Sequence, residues 1–188
     1  MSRILDSGMG RIEALMGNPA RDQCPGEILD MQALVSVRYY SFDGLLHEGR
    51  ILVDRRLALD ISTVFAAIER ERFPVMSAIP VADARIGWSD DVSMALNNSS
   101  GFNYRPITGG GTKVSAHALG QAIDINPLLN PYVSPAGVVS PPGAVRDVSR
   151  PGTILENSFL VKLFDEFGWE WGGRWTDRVD WHHFEKRL

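Results

Sequence analysis

Ile123-Asp124-Ile125 places a carboxylate between two branched aliphatic residues, within the stretch Val-Ser-Ala-His117-Ala-Leu-Gly120-Gln-Ala-Ile-Asp124-Ile-Asn-Pro. Strand alternation would turn Ile123 and Ile125 toward a core and leave Ala122 and Asp124 on the opposite side. A carboxylate in that setting is costly to bury unless something compensates its charge. A turn at Leu119-Gly120 would fold the chain back, so that His117 and Asp124 could face one point. Whatever fold this chain adopts must bring a compensating group to that point.

A divalent zinc ion meets the requirement, because zinc takes imidazole nitrogen and carboxylate oxygen in tetrahedral sites, and a catalytic site keeps one position for water. His117 and Asp124 would be two ligands, and the third would come from Asp180-Trp-His-His-Phe-Glu185 near the C-terminus. On residue types and spacing alone, satisfied structural histidines and an ordinary salt-bridged Asp124 remain open beside the metal site.

The 188 residues suffice for one globular unit with a substantial core. A net charge of -4 gives no basic footprint for duplex nucleic acid. No apolar run approaches the roughly eighteen residues that span a bilayer. Met1 to Met16 reads as a short amphipathic helix and lacks the uninterrupted apolar region of a secretory leader. The single cysteine, Cys24, excludes an internal disulfide framework. No base stands beside it to activate it as a nucleophile.

Residues 34 to 53 alternate apolar and polar positions on either side of Asp43-Gly44, a hairpin signal. Apolar spacing predicts a helix from Arg56 to Arg72, a short helix around Asp90 to Asn97, and another from Leu155 to Phe167. Ile107 to Lys113, with three consecutive glycines, reads as a connecting loop or as a flap over a cleft. The proline-crowded stretch 127 to 152 reads as an irregular excursion. His47 reads as a structural or surface histidine, and the tryptophans around Gly172-Gly173 as core and cleft wall. The glycines at 109 to 111 lack the pattern of a nucleotide fingerprint, and there is no H-E-x-x-H helix.

Two motifs carry a resemblance. Ser115-Ala-His117-Ala-Leu-Gly120-Gln-Ala122-Ile-Asp124 fits S-x-H-x-x-G-x-A-x-D, and Asp180-Trp-His-His183-Phe fits D-x-x-H-F. Together they resemble the zinc D-Ala-D-Ala carboxypeptidase family, which includes VanY-like carboxypeptidases, D-Ala-D-Ala dipeptidases and phage L-alanoyl-D-glutamate endopeptidases. Trp171-Gly-Gly-Arg-Trp175 is similar to the family as well, and the resemblance covers roughly residues 36 to 188.

The resemblance implies zinc held by His117, Asp124 and His183, with Asp180 as general base. It implies that Arg105 polarises the scissile carbonyl and that Ser115 hydrogen-bonds the substrate or the ligand shell. The position before the last ligand is commonly Pro or Trp in the family and is His182 here. His183 keeps the Asp-x-x-His-Phe register, leaving His182 as a neighbour of the ligand shell or a substrate contact, with Trp171 as a candidate lining residue. Residues 180 and 183 would face opposite ways in a regular strand, so a turn or bulge between them is required.

The expected fold is α+β, a single domain with a mostly antiparallel sheet and packed helices, the zinc site lying on the sheet. A helical extension at 1–33 would precede a peptidase domain at 34–188. The implied function is zinc peptidase action on peptidoglycan stem peptides, with D-Ala-D-Ala carboxypeptidase first. L-Ala-D-Glu endopeptidase and a catalytically silent zinc-stabilised wall-binding module are the alternatives. Such a substrate lies in the cell envelope or outside the cell. Lys113, Arg146, Arg150 and Arg174 are candidates for the cation that would receive a terminal carboxylate.

Overall fold

The computed structural model describes residues 3–17, 24–105 and 114–188. The glycine-rich stretch 107–113, including Lys113, lies outside the described residues. Strands β2 (Gln32–Tyr40) and β3 (Leu46–Asp54) form the expected hairpin, in register from Gln32↔Asp54 to Tyr40↔Leu46. Its turn closes by Ser41 N–H donating to Leu45 O at 3.0 Å. Gly44 takes φ +77°, the left-handed conformation that favours glycine in a tight turn.

Alternation along the hairpin sends Val37, Tyr39, Ile51 and Val53 to one face. There they meet Ile61, Val64, Phe65 and Ile68 of the first long helix, Ala58–Arg70. A short 3-10 turn at Arg55–Leu57 precedes that helix, and Asp54 caps it by accepting from Arg56 N–H at 2.9 Å. Three shorter helices are α1 (Arg11–Leu15), α2 (Gly26–Met31) and α4 (Asp90–Ala95), making the long one α3. Of residues 1–33, α1 and α2 are helical among the described residues; before α1, β1 (Ile4–Leu5) runs parallel to β3 as a third strand.

Helix α5 (Phe159–Glu166), N-capped by Ser158 Oγ accepting from Val161 N–H, packs against α3 and carries the core toward the C-terminus. Phe164 stacks on Phe184 with centroids 4.0 Å apart, and Trp169 meets Phe164 edge-on at 5.3 Å. Fully burying a ring such as Phe184 is worth about 1.5–3 kcal/mol. That anchor lies in β11 (His183–Glu185), the centre of a sheet ordered β6 (Ala122–Asp124), β11, β9 (Glu170–Trp171), antiparallel throughout.

The chain is thus mixed helix and sheet, with five helices among the described residues and mostly antiparallel pairing. The pairing is divided among four small sheets where one was expected. The proline-crowded excursion contributes one of them. Its strands β7 (Tyr132–Val133) and β8 (Val139–Ser140) pair with each other and with β10 (Val179–Asp180). The remaining sheet is a parallel pair of β4 (Ser77–Ala78) and β5 (Asn98–Ser99). No helix among the described residues is long and apolar enough to cross a membrane.

Candidate metal centre

The first motif folds for backbone reasons. Ser115 N-caps a 3-10 turn over Ala116–Leu119, its hydroxyl accepting from His117 N–H at 3.3 Å. Gly120 ends the turn at φ +69°, where a Cβ would also stand 2.1 Å from Gln32 Oε1. The chain then reverses into β6, whose Ala122 and Ile123 are fully buried. Ser, Gly and Ala in this motif therefore serve to present His117 and Asp124 side by side.

The second motif supplies the third candidate ligand atom. A turn at Trp181-His182 separates β10 from β11, which is the break in strand geometry that the spacing of 180 and 183 requires. In the β6–β11 pairing His183 lies directly opposite Asp124. His117 Nε2, Asp124 Oδ1 and His183 Nδ1 consequently converge, at 3.2 Å, 3.2 Å and 3.0 Å from one another. These three residues form the group that could hold a metal ion, and all three are buried.

The outer partners decide which nitrogens carry lone pairs. His117 Nδ1 donates to Gly101 O at 2.6 Å, and His183 Nε2 donates to Glu185 Oε2 at 3.1 Å. In the neutral rings this leaves His117 Nε2 and His183 Nδ1 without protons, aimed at a carboxylate oxygen that is itself only an acceptor. Three lone pairs facing one another require a positive charge between them. With zinc bonds of about 2.0–2.1 Å, tetrahedral ligand atoms stand about 3.3–3.4 Å apart, so the observed triangle is within a few tenths of an ångström of a zinc cradle.

The electrostatics agree. Burial alone would raise the Asp124 carboxyl, but the His117 and His182 imidazoles hold it well below the usual carboxylate range. Burial alone would lower His183, but the Asp124 and Glu185 carboxylates outweigh it and bring the ring up to about 10. The cluster therefore favours positive charge between these side chains, and binding a metal there would displace any proton held on the ligand nitrogens.

Asp180 ends β10 beside this cluster. Its Oδ1 lies 3.0 Å from His182 Nε2 but off a hydrogen-bonding line, and among the described residues that buried oxygen has no hydrogen-bond partner. His182 is itself buried, its Nδ1 donating to Asn130 O at 2.7 Å, and its Nε2 stands 3.9 Å from Asp124 Oδ2. Burial would lower the His182 pKa, yet Asp180 and Asp124 raise it to about 9. His182 therefore bridges the two carboxylates and stays out of the metal triangle.

Arg105 Nη2 pairs with Asp90 Oδ2 at 2.8 Å, while its buried Nε has no hydrogen-bond partner among the described residues. Asp90 opens α4, which Ser89 caps at 3.2 Å. Trp171 lies in the core, 2% exposed, its indole N–H donating to Trp181 O at 3.0 Å. Trp175 is the tryptophan beside the cluster: its ring centroid is 5.3 Å from that of His183, and Arg178 lies 4.4 Å over its face.

Arg146 and Arg174 are tied internally. Arg146 lies over Trp181 at 4.4 Å and donates to Ile154 O at 2.6 Å; Arg174 pairs with Glu156 and Asp165 at 2.8 and 2.7 Å. Arg150 is exposed. Cys24 is buried in a separate apolar cluster, and burial pushes its thiol pKa up. Glu185, Asp90, Asn130 and Arg178 escape sequence reasoning; only Glu185, two residues past the last ligand, carries a visible signal, as a carboxylate on the same strand face.

Residues 108–186 match the family model described as D-alanyl-D-alanine carboxypeptidase. No curated protein and no solved structure matches the chain.

Proposed function

Because residues 108–186 match the family model described as D-alanyl-D-alanine carboxypeptidase, we propose that this chain is a zinc peptidase that removes the terminal D-alanine from peptidoglycan stem peptides. The observation that supports the reading best is the meeting of three lone-pair atoms, from His117, Asp124 and His183, next to the carboxylate of Asp180, whose buried Oδ1 stands 3.0 Å from His182 Nε2. Zinc bound by those three residues would supply an acidified water and a Lewis-acid partner for the scissile carbonyl.

The chain's own residues divide the remaining work. Asp180 takes a proton from the attacking water and passes it to the leaving amine, the role of a carboxylate beside the metal triangle. Arg105, steadied by Asp90, presents guanidinium N–H groups to the carbonyl oxygen as negative charge develops there. His182 holds the Asp180 side from Asn130, and Ser115 holds the backbone that presents His117.

Mass spectrometry of products from a defined muropeptide ending in D-Ala-D-Ala tests the reading. Release of a single D-Ala supports it. A cut beside L-Ala with the D-Ala terminus intact replaces it with the endopeptidase, and full zinc occupancy without hydrolysis replaces it with a silent wall-binding module.

A further inference from the structure

β7 is the hydrogen-bonded neighbour of the strand that ends in Asp180, so the proline-crowded excursion forms part of the site's wall. Tyr132 is the direct cross-strand partner of Asp180 on one side and of Ser140 on the other. Directly opposed residues of an antiparallel pair project to the same face, with Cβ atoms about 4.5–5.5 Å apart. The Tyr132 phenol therefore shares the face on which Asp180 reaches toward His182.

Two further observations point to a ligand for this ring. Tyr132 is half-buried, and among the described residues its hydroxyl has no hydrogen-bond partner. That hydroxyl is open to solvent and so available to a ligand. Tyr39 shows the contrast, its hydroxyl donating to Asp6 and accepting from Ala78 N–H. The segment is also rigid just before the ring: Asn130 Nδ2 donates to Ile125 O, Asn126 O and Gly152 O, and Asn130 Oδ1 accepts from Ile154 N–H at 2.7 Å. A side chain held on so tightly braced a strand suits the positioning of a substrate.

We propose that Tyr132 is a substrate-contacting residue whose hydroxyl hydrogen-bonds a backbone amide of the stem peptide alongside Asp180; this rests on the peptidase reading above. The contact forms with the bound ground state, so its loss appears in KM.

Tyr132→Phe keeps the ring and the strand pairing and removes only the hydroxyl. With the zinc-loaded protein and a peptide ending in D-Ala-D-Ala, KM is expected to rise about 3- to 10-fold while kcat, zinc affinity and Tm hold. An unchanged KM overturns the inference, and so does a KM rise that comes with a fall in Tm or zinc affinity, which marks the hydroxyl as structural. A wild-type protein that cleaves no such peptide overturns the peptidase reading itself, and this inference with it.

Discussion

Glu185 Oε2 accepts from His183 Nε2 at 3.1 Å, from the far side of the ring that offers Nδ1 to the metal triangle. Burial alone would raise the Glu185 pKa, but His183 and Arg187 bring it down to about 2, so it is a carboxylate at neutral pH. It sets the ring's tautomer and orientation. Losing such an outer partner typically weakens metal affinity about 10- to 100-fold. Glu185→Ala should show that loss in competition against a chromophoric chelator, and Glu185→Gln, which keeps an acceptor oxygen, a smaller one. Equal affinities in all three proteins would mean that Glu185 does not orient the ligand.

Asp180 separates catalysis from metal binding, because it lies outside the triangle of ligand atoms. Asp180→Asn preserves size and removes the base. The expected result is a fall in kcat of about 10²- to 10⁴-fold, with zinc affinity close to wild type. Steady-state kinetics beside a zinc titration checks both halves. Retained activity would show that some other group takes the proton.

The motif around Ser115 to Asp124 was legible in sequence because each position answers to the backbone. Gly120 must take positive φ, Ser115 must cap, and Ala122 must leave room. The β2–β3 hairpin was legible for the same local reasons. The partners that complete the site were not. Tyr132 meets Asp180, and Asn130 meets His182, only through contacts between segments far apart in the chain. No periodicity or composition encodes that register. Prolines in 127–152 predicted irregular backbone, and they concealed the short strands β7 and β8. Adjacent histidines carry no local signal of which binds metal. The choice is made by Asn130 O, which turns His182 away from the triangle.

Gly172 makes a testable link between the tryptophan-glycine motif and the base. A Cβ at that position would lie 2.7 Å from Asp180 O and 2.9 Å from Asp180 Cβ, too close for either to stay in place. Gly172→Ala should therefore shift Asp180. A displacement of about 1 Å can cost on the order of 100-fold in rate, and this should occur with the three metal ligands undisturbed. Gly26→Ala is the control, since a methyl group at that position in α2 would meet nothing within 4 Å. Equal kcat for the two variants would show that the strand tolerates the methyl group.

His47 lies far from the metal ligands in sequence and predicts a pH dependence of stability. Its Nδ1 is 2.8 Å from Asp6 Oδ1 and its Nε2 is 3.0 Å from Asp43 Oδ2, tying the residue after β1 to the hairpin turn. Tyr39 and Arg85 also engage Asp6, through its carboxylate and its backbone carbonyl. Burial would lower the His47 pKa, but the two carboxylates outweigh it and raise it above the ordinary value of about 6.5. A raised folded pKa means that the folded state holds this proton more tightly than the unfolded chain. The stabilisation is therefore full below about pH 6.5 and is lost as pH rises through the folded-state pKa. Thermal unfolding of wild type and His47→Gln at a series of pH values should show the widest gap in Tm on the acidic side, narrowing as pH rises. Asp43→Asn removes one of the two carboxylates and should flatten that trend. A gap that widens with pH would show that His47 is neutral in the folded protein and that the tie is an uncharged hydrogen bond.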